Sequence, residues 1–375
     1  MKKFYKAVLL FSASVLSLSA YAGNDTKRGQ GGATELLVNP WARSSGMANS
    51  ILAGVNGVEA MNLNVAGTSY TQGTDIMFAS TRYLSGSDIN ITALGLTTKV
   101  SEFGVMGISF TGWSLGDFME TRFDQPEGTG ATFSPNIFNI GMSYSQQFSE
   151  KITGGLLVRG LFQSIPNASA SNIGIDAGIQ YRTGGSDVTG DLKPFKIGVS
   201  LRNIGPRMIY RGDGFAATAR IQDPDNQVDQ STAQPYVAGF EMPATLAIGT
   251  SYDFYLNPLN RLTVAATFQS NSYTQDEYNL GLEYGFNDLF MVRTGFNGQK
   301  NVFSDNERTS LNSGLTAGLS VKAPLDQIFT KENGGEIGGE EEVAKPKKRF
   351  FTIDYSYRSS NPYNGTHSLG LSLNF

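Results

Sequence analysis

The segment Gly112-Trp113-Ser114-Leu115-Gly116 has the spacing of a nucleophile elbow, in which a serine oxygen is raised on a sharp turn between a strand and a helix. That chemistry also needs a histidine base and an acid to orient it. Here the segment ends an extended stretch before a loop, and the only histidine, His367, begins the last strand on its apolar side. The pattern reads as a chance match and Trp113 as an interfacial aromatic, so no enzyme is expected. Asp223, Asp225, Asn226 and Asp229 are spaced loosely like a calcium loop, but the glycine and terminal glutamate of an EF-hand are missing and a solvated turn is the simpler reading. One histidine leaves too few imidazoles for the usual zinc sites. The absence of cysteine removes disulfides, thiolate metal sites, a cysteine nucleophile and lipid anchoring through an N-terminal cysteine. A net charge of −4 without a basic block argues against nucleic acid. No catalytic residue, cofactor or metal is expected.

The elements that would have to position any site are strands. The chain has 375 residues, 17% charged, with 44 glycines and 11% aromatics. From about residue 75 apolar and polar residues alternate with period two. Ile173, Ile175, Ala177, Ile179 and Tyr181 oppose Gly174, Asp176, Gly178, Gln180 and Arg182, and Leu280, Leu282, Tyr284 and Phe286 oppose Asn279, Gly281 and Glu283. A soluble sandwich would turn the apolar face inward, whereas an outer-membrane barrel turns it to lipid. Three features favour the barrel. The polar faces are rich in glycine and serine, as a crowded interior requires. Aromatics such as Tyr144, Tyr181, Phe195, Tyr252 and Tyr284 recur near strand ends, and the chain finishes on an amphipathic strand ending in Phe375.

Fourteen strands are expected, at 75–84, 88–100, 103–115, 136–148, 151–165, 172–183, 194–205, 245–255, 261–270, 278–286, 289–297, 313–323, 350–358 and 367–375. The first three alternate poorly. With a periplasmic N-terminus, tight turns such as Asn287-Asp288 fall on one side and the long loops 116–135, 206–244 and 298–312 on the other, as barrels require. Residues 324–349 break that rule with a glycine- and charge-rich insertion, expected to be a mobile periplasmic segment. Residues 1–22 have the basic start, apolar run and Ala20-Tyr21-Ala22 ending of a cleaved export signal.

Residues 23–74 differ in character and suffice for a plug inside the barrel at 75–375. Ala42-Arg43-Ser44-Ser45-Gly46-Met47, followed by Asn64-Val65-Ala66-Gly67, resembles the N-terminal stretch of FadL-like barrels, more closely their PorV/PorQ branch, with Val65 where an NPAG segment has proline. The resemblance implies an all-β fold, a transmembrane antiparallel barrel of about fourteen strands occluded by its N-terminal region in the outer membrane. It singles out Arg43, Gly46, Met47, Asn64, Ala66 and Gly67 as plug-motif residues, and Phe375 as the assembly signal.

The inward charges Arg159, Asp176, Arg182, Lys196, Arg202, Asp253, Glu283, Arg293, Lys322, Asp354 and Arg358 carry both signs. In a pore they would set ion selectivity; in a plugged barrel they pair across the lumen or hold the plug. The plug favours the second, with Arg43 and Asn64 as the plug–wall contacts. Two functions follow from the resemblance. One is an accessory barrel of a type IX-like secretion or surface-assembly complex, binding a larger translocon barrel and secreted protein cargo. The other is a FadL-type transporter of hydrophobic molecules, which needs an apolar pocket between plug and loops, for which 206–244 offers Met208, Tyr210, Phe215 and Phe240. What co-purifies, protein or lipid, separates them.

Overall fold

The computed structural model describes residues 27, 29–183, 195–222, 228–233, 236–299, 311–325 and 349–375. In chain order its strands are β1 (Thr74–Tyr83), β2 (Ile89–Lys99), β3 (Gly104–Ser114), β4 (Phe118–Met119), β5 (Thr132–Phe133), β6 (Asn136–Gln147), β7 (Ile152–Ile165), β8 (Ala168–Arg182) and β9 (Phe195–Ile204). They continue with β10 (Ala217–Gln222), β11 (Val228–Ala233), β12 (Thr245–Asn257), β13 (Asn260–Asn271), β14 (Glu277–Phe286), β15 (Phe290–Gly298), β16 (Asn312–Pro324), β17 (Phe350–Ser360) and β18 (Thr366–Asn374). The β4–β5 and β10–β11 hairpins lie in loops. The other fourteen strands pair antiparallel into a closed barrel, β1 against β18, and each matches an expected strand to within four residues at either end. The count is therefore fourteen.

Closure is made by the register Asp75↔Asn374 to Arg82↔His367. Phe375 extends it, its N–H donating to the Thr74 carbonyl at 2.9 Å. Strand turns obey local chemistry: Asn287 and Asp288 are the central pair of the turn closed by the Leu289 N–H donating to the Phe286 carbonyl. Both take positive φ (52° and 49°), the conformation that suits a tight turn between right-twisted strands. No helix among the described residues is long and apolar enough to cross a membrane, so any crossing falls to the strands.

The core lies inside the barrel. Residues 29–73 fold there as short helical turns, including α1 (Ala42–Ser45) and α2 (Ala60–Leu63), with 3-10 turns at Thr34–Leu37 and Val65–Tyr70. Met47, Ile51, Leu52 and Val55 pack on wall residues Ala247 and Ala265. Trp41 and Val58 pack on Met77, Ala79 and Ala93, and Met61 and Val65 on Leu157. Outward positions along the strands are large and exposed, for example Leu280, Leu282, Tyr284 and Phe286 on β14.

One expectation needs correction. Trp113 is not an outward interfacial aromatic: on β3 it shares the inward face with Val105 and Ser109, and it packs edge-on against Tyr83 with ring centroids 5.7 Å apart. Ser114 ends β3 facing outward and leads into a loop, so no strand-to-helix elbow is present. His367 is engaged elsewhere, its Nδ1 2.8 Å from the Tyr355 hydroxyl. Asp223, Asp225 and Asn226, the export signal 1–22 and residues 326–348 of the insertion lie outside the described residues, as does the side chain of Asp229. The insertion's base is closed by the Leu325 N–H donating to the Arg349 carbonyl at 2.9 Å.

Candidate functional site

The plug is built from turns of one or two helical cycles. Such turns leave carbonyl groups without intrahelical donors, and buried carbonyls need partners. The barrel wall supplies them. Arg358 donates to Asn39 O (3.3 Å), Thr81 to Pro40 O (3.1 Å), Thr316 to Gly46 O (3.0 Å) and Thr267 to Ser50 O (2.7 Å). Gln180 donates to both Leu52 O and Val55 O at 3.1 Å. Arg159 reaches Met61 O (3.4 Å) and Arg202 reaches Asn62 O (2.6 Å). Seven wall side chains thus satisfy eight plug carbonyls, spread over strands on every side of the lumen.

Asn64 works in the opposite sense. Its side-chain oxygen accepts from the Ala66 N–H at 3.2 Å, which starts the following 3-10 turn. Its amide donates to Ile179 O (3.1 Å) and Val199 O (3.4 Å), two residues opposite each other on β8 and β9. This approach works because the wall is glycine there: a Cβ on Gly178 would stand 2.1 Å from Asn64 Oδ1, and one on Gly198 3.0 Å from Asn64 Nδ2. Ala66 is fully buried beside it. Gly67 has no room for a side chain either, since a Cβ would stand 2.2 Å from Val55 O.

Arg43, on α1, lies between two carboxylates, 3.8 Å from Glu59 of the plug and 3.7 Å from Glu283 of β14. Glu283 in turn meets Arg293 at 2.5 Å and Arg261 at 3.0 Å, and Arg293 lies 3.7 Å from Asp354. Burial alone would weaken the Arg43 charge, but Glu283 and then Glu59 more than reverse this, so its guanidinium is held charged. Burial raises the Glu59 carboxyl above the ordinary glutamate range, and the opposing pull of Arg43 does not cancel it. Gly46 brings the plug backbone against Gly318, where a Cβ would come 3.0 Å from that residue's Cα, and Met47 is buried in the apolar cluster with Ala247 and Ala265.

Below this knot, at the end that carries Phe375, a cavity of about 640 Å³ separates plug from wall. Arg43, Glu59, Asp75, Arg261, Lys322 and Asp354 line it, so both charges are present, and Ile76, Met77, Met291, Phe350 and Phe375 add an apolar part to the same lining. All eleven inward charges expected from the alternation sit on the lumen side, buried or half-buried. Several pair within the wall, as Arg159–Asp176 (3.0 Å) and Lys196–Asp253 (2.6 Å) do. Arg182 instead lies over the Tyr70 ring of the plug, 3.3 Å from its centroid.

The opposite end is capped by apolar contact. Ala33 and Leu36 of the plug cluster with Leu161, Ala170, Met208 and Met242, and Tyr210 packs against them. Met208 and Phe240 exchange backbone hydrogen bonds, and the Tyr210 ring meets Phe240 edge-on at 6.0 Å. Gln163 links this cap to the plug, accepting from the Tyr210 hydroxyl and donating to Glu35. Burial raises the Glu35 carboxyl. Met208 is enclosed, Phe240 is partly exposed, and Phe215 is half-buried outside this cluster.

Sequence reasoning did not single out Glu59, Gln180 or Asn39. Asn39 fixes the start of α1 within the plug, donating to Ser44 Oγ (2.8 Å) and accepting from the Trp41 N–H (3.0 Å). Glu59 could have been found as the one carboxylate in the stretch Val55 to Gly67. Gln180 had no distinguishing signal, because its partners are backbone carbonyls more than a hundred residues away.

Residues 23–222 match a family model described as Type IX secretion system protein PorV. Among solved structures the chain is similar to the Pseudomonas putida toluene transporter TodX, at 11% identity over 90% of this chain and 97% of that one, TM-score 0.47. It is also similar to the Ralstonia pickettii toluene transporter TbuX, at 12% identity over 86% and 96%, TM-score 0.44. A Pseudomonas aeruginosa FadL homologue gives 10% identity over 88% and 96%, TM-score 0.44. No curated protein matches.

Proposed function

The chain belongs to the PorV family of type IX secretion proteins and is an outer-membrane barrel, and from that premise we propose that it is an accessory barrel of a secretion complex. It acts by binding protein partners, a larger outer-membrane barrel and secreted cargo, and carries out no bond chemistry. The observation that carries this reading is the wall's donation to eight plug carbonyls. Opening the lumen would strip these donors together and pull Arg43 from two buried carboxylates, each loss costing free energy. A plug held this way suits a barrel that works through its surface rather than its bore. The capped loop end supports the same reading, since Met208 is already enclosed by the chain's own residues.

The test is purification of the tagged chain from native membranes in mild detergent, with mass spectrometry of proteins and lipids. Stoichiometric recovery of a larger outer-membrane protein is the expected result. A solitary barrel carrying a defined acyl or aromatic ligand would sink the reading in favour of a transporter of hydrophobic molecules.

A further inference from the structure

A lipid-facing wall should be apolar through a band about 25 Å tall, edged by aromatics. On β14 the outward series holds to that rule, running Phe286, Tyr284, Leu282, Leu280 and Tyr278. On β6 and β7 the band reaches Phe138 and Phe162, whose rings stack 4.9 Å apart. Three adjacent strands depart from it. On β1 the outward residues are Ile76 and Phe78, then Ser80 and Arg82. On β2 they are Leu96 and Leu94, then Thr92 and Asn90, and on β3 Ile108 and Phe110, then Gly112 and Ser114.

The register aligns these substitutions into two continuous rows. Ser80 lies opposite Thr92 and Thr92 opposite Gly112; Arg82 lies opposite Asn90 and Asn90 opposite Ser114. Ile76 stands two residues from the Thr74–Phe375 closure at the periplasmic end. Arg82 is six residues further along, about 20 Å of strand and about 15 Å of height at the usual tilt. Ser80, Arg82 and Thr92 therefore fall within the band, whereas on β3 the upper row reaches its edge, Ser114 lying opposite the exposed Asn136 of β6, one outward position beyond Phe138. Lipid tails offer nothing to a guanidinium or an amide at that depth.

Above the rows the polarity inverts again. β3 continues into the β4–β5 hairpin, where Phe118 stacks on Phe133 at 5.9 Å. Met119 is 58% exposed and Phe123 is fully exposed at the hairpin tip. One side of the barrel is thus polar where lipid should be and apolar where water should be. An exposed aromatic cluster continuous with an intramembrane polar patch fits a partner that is itself embedded in the membrane and rises above it.

Resting on the reading above, we infer that the outer half of β1–β3, together with the β4–β5 hairpin, is the face that docks a different outer-membrane protein. That protein's own wall would present hydrogen-bond acceptors and a carboxylate opposite Arg82. A second copy of this chain does not fit. The six acidic residues of the described barrel strands (Asp75, Asp176, Asp253, Glu277, Glu283 and Asp354) all lie on inward faces, leaving no outward carboxylate for Arg82.

The experiment combines a photocrosslinking residue at position 92, or at position 280 as control, with the doubly substituted chain Arg82→Leu/Thr92→Leu. Both are read in native membranes from cells expressing the full chain. The expected result is an adduct from position 92, but not 280, with the same protein that co-purifies with the wild-type chain. Recovery of that protein should fall at least tenfold in the double variant, while heat-modifiable gel migration shows the barrel still folded. Adducts with lipid alone, equal adducts from both positions, or unchanged recovery in the double variant would each overturn this face while leaving the secretion-complex reading intact. Absence of any partner with the wild-type chain would remove both.

Discussion

On the β13–β17 side of the barrel the wall meets the plug with charge: Arg261, Glu283, Arg293 and Asp354 form a linked set into which Arg43 inserts. On the β1–β2 side it meets the plug with hydrocarbon, Met77, Ala79 and Ala93 packing on Trp41 and Val58. The outward faces differ in the complementary sense. β14 is apolar to its tip, whereas β1 and β2 turn polar halfway up. A strand's lumen face is therefore written by the plug segment it touches and its outer face by whatever surrounds the barrel. Neither face has to be polar or apolar by rule.

The sharpest way to break the comparison is Arg43→Met. It strands Glu59 and Glu283 without one of their cations, and is expected to destabilise the plugged state by about 3–5 kcal/mol. The chain has no cysteine, so a single Ser50→Cys reporter, buried in the plug, should then label far faster with maleimide. Labelling at the rate of the reporter alone would show that charge does not hold the plug.

Val58→Ala probes the apolar side. Two buried methyl groups are lost and a cavity is left, for an expected cost of about 2 kcal/mol in denaturant unfolding. An effect as large as that of Arg43→Met would erase the distinction between the two sides.

Glu59→Gln tests the charged side more gently. With its carboxyl raised by burial, the folded state holds that proton more tightly than the unfolded chain does. The associated stability is complete below the ordinary glutamate pKa and is lost as pH rises through the raised value. The wild-type unfolding midpoint should therefore decline across that window, and the glutamine variant should show a flatter profile. Equal slopes would mean that Glu59 titrates normally.

The smallest effect is expected from Thr92→Leu in the isolated, detergent-solubilised barrel, a change within about 0.5 kcal/mol because the residue lies outside the core. A large loss of stability there would mean that the polar rows serve the barrel itself.

Much of this fold could be read from the chain. Fourteen strands and most of the tight turns follow from period-two alternation and turn residues, which are local properties of the backbone, although the two-residue Pro166-Asn167 turn between β7 and β8 lies on the side of the long loops. The three strands that alternate poorly, β1–β3, are the informative exception. Their inward residues Met77, Ala79 and Ala93 are apolar because plug hydrocarbon covers them, and their outward residues Ser80, Arg82 and Thr92 are polar. Trp113 was misread for the same reason, as an aromatic near a strand end that turned out to face inward against Tyr83.

The plug shows where sequence stops. Its motif drew attention to Arg43, Gly46, Met47, Asn64, Ala66 and Gly67, but Glu59 and Gln180 have no local signature. Alternation determined which charges face the lumen, because side-chain direction along a strand is fixed residue by residue. Which of those charges meet the plug, and which pair within the wall, was decided only when barrel closure and register brought residues such as Asn64, Ile179 and Val199 to one point. The reason is physical: a hydrogen bond to a backbone carbonyl makes no demand on the identity of the residue that carries it, so it leaves no mark in the sequence on the accepting side.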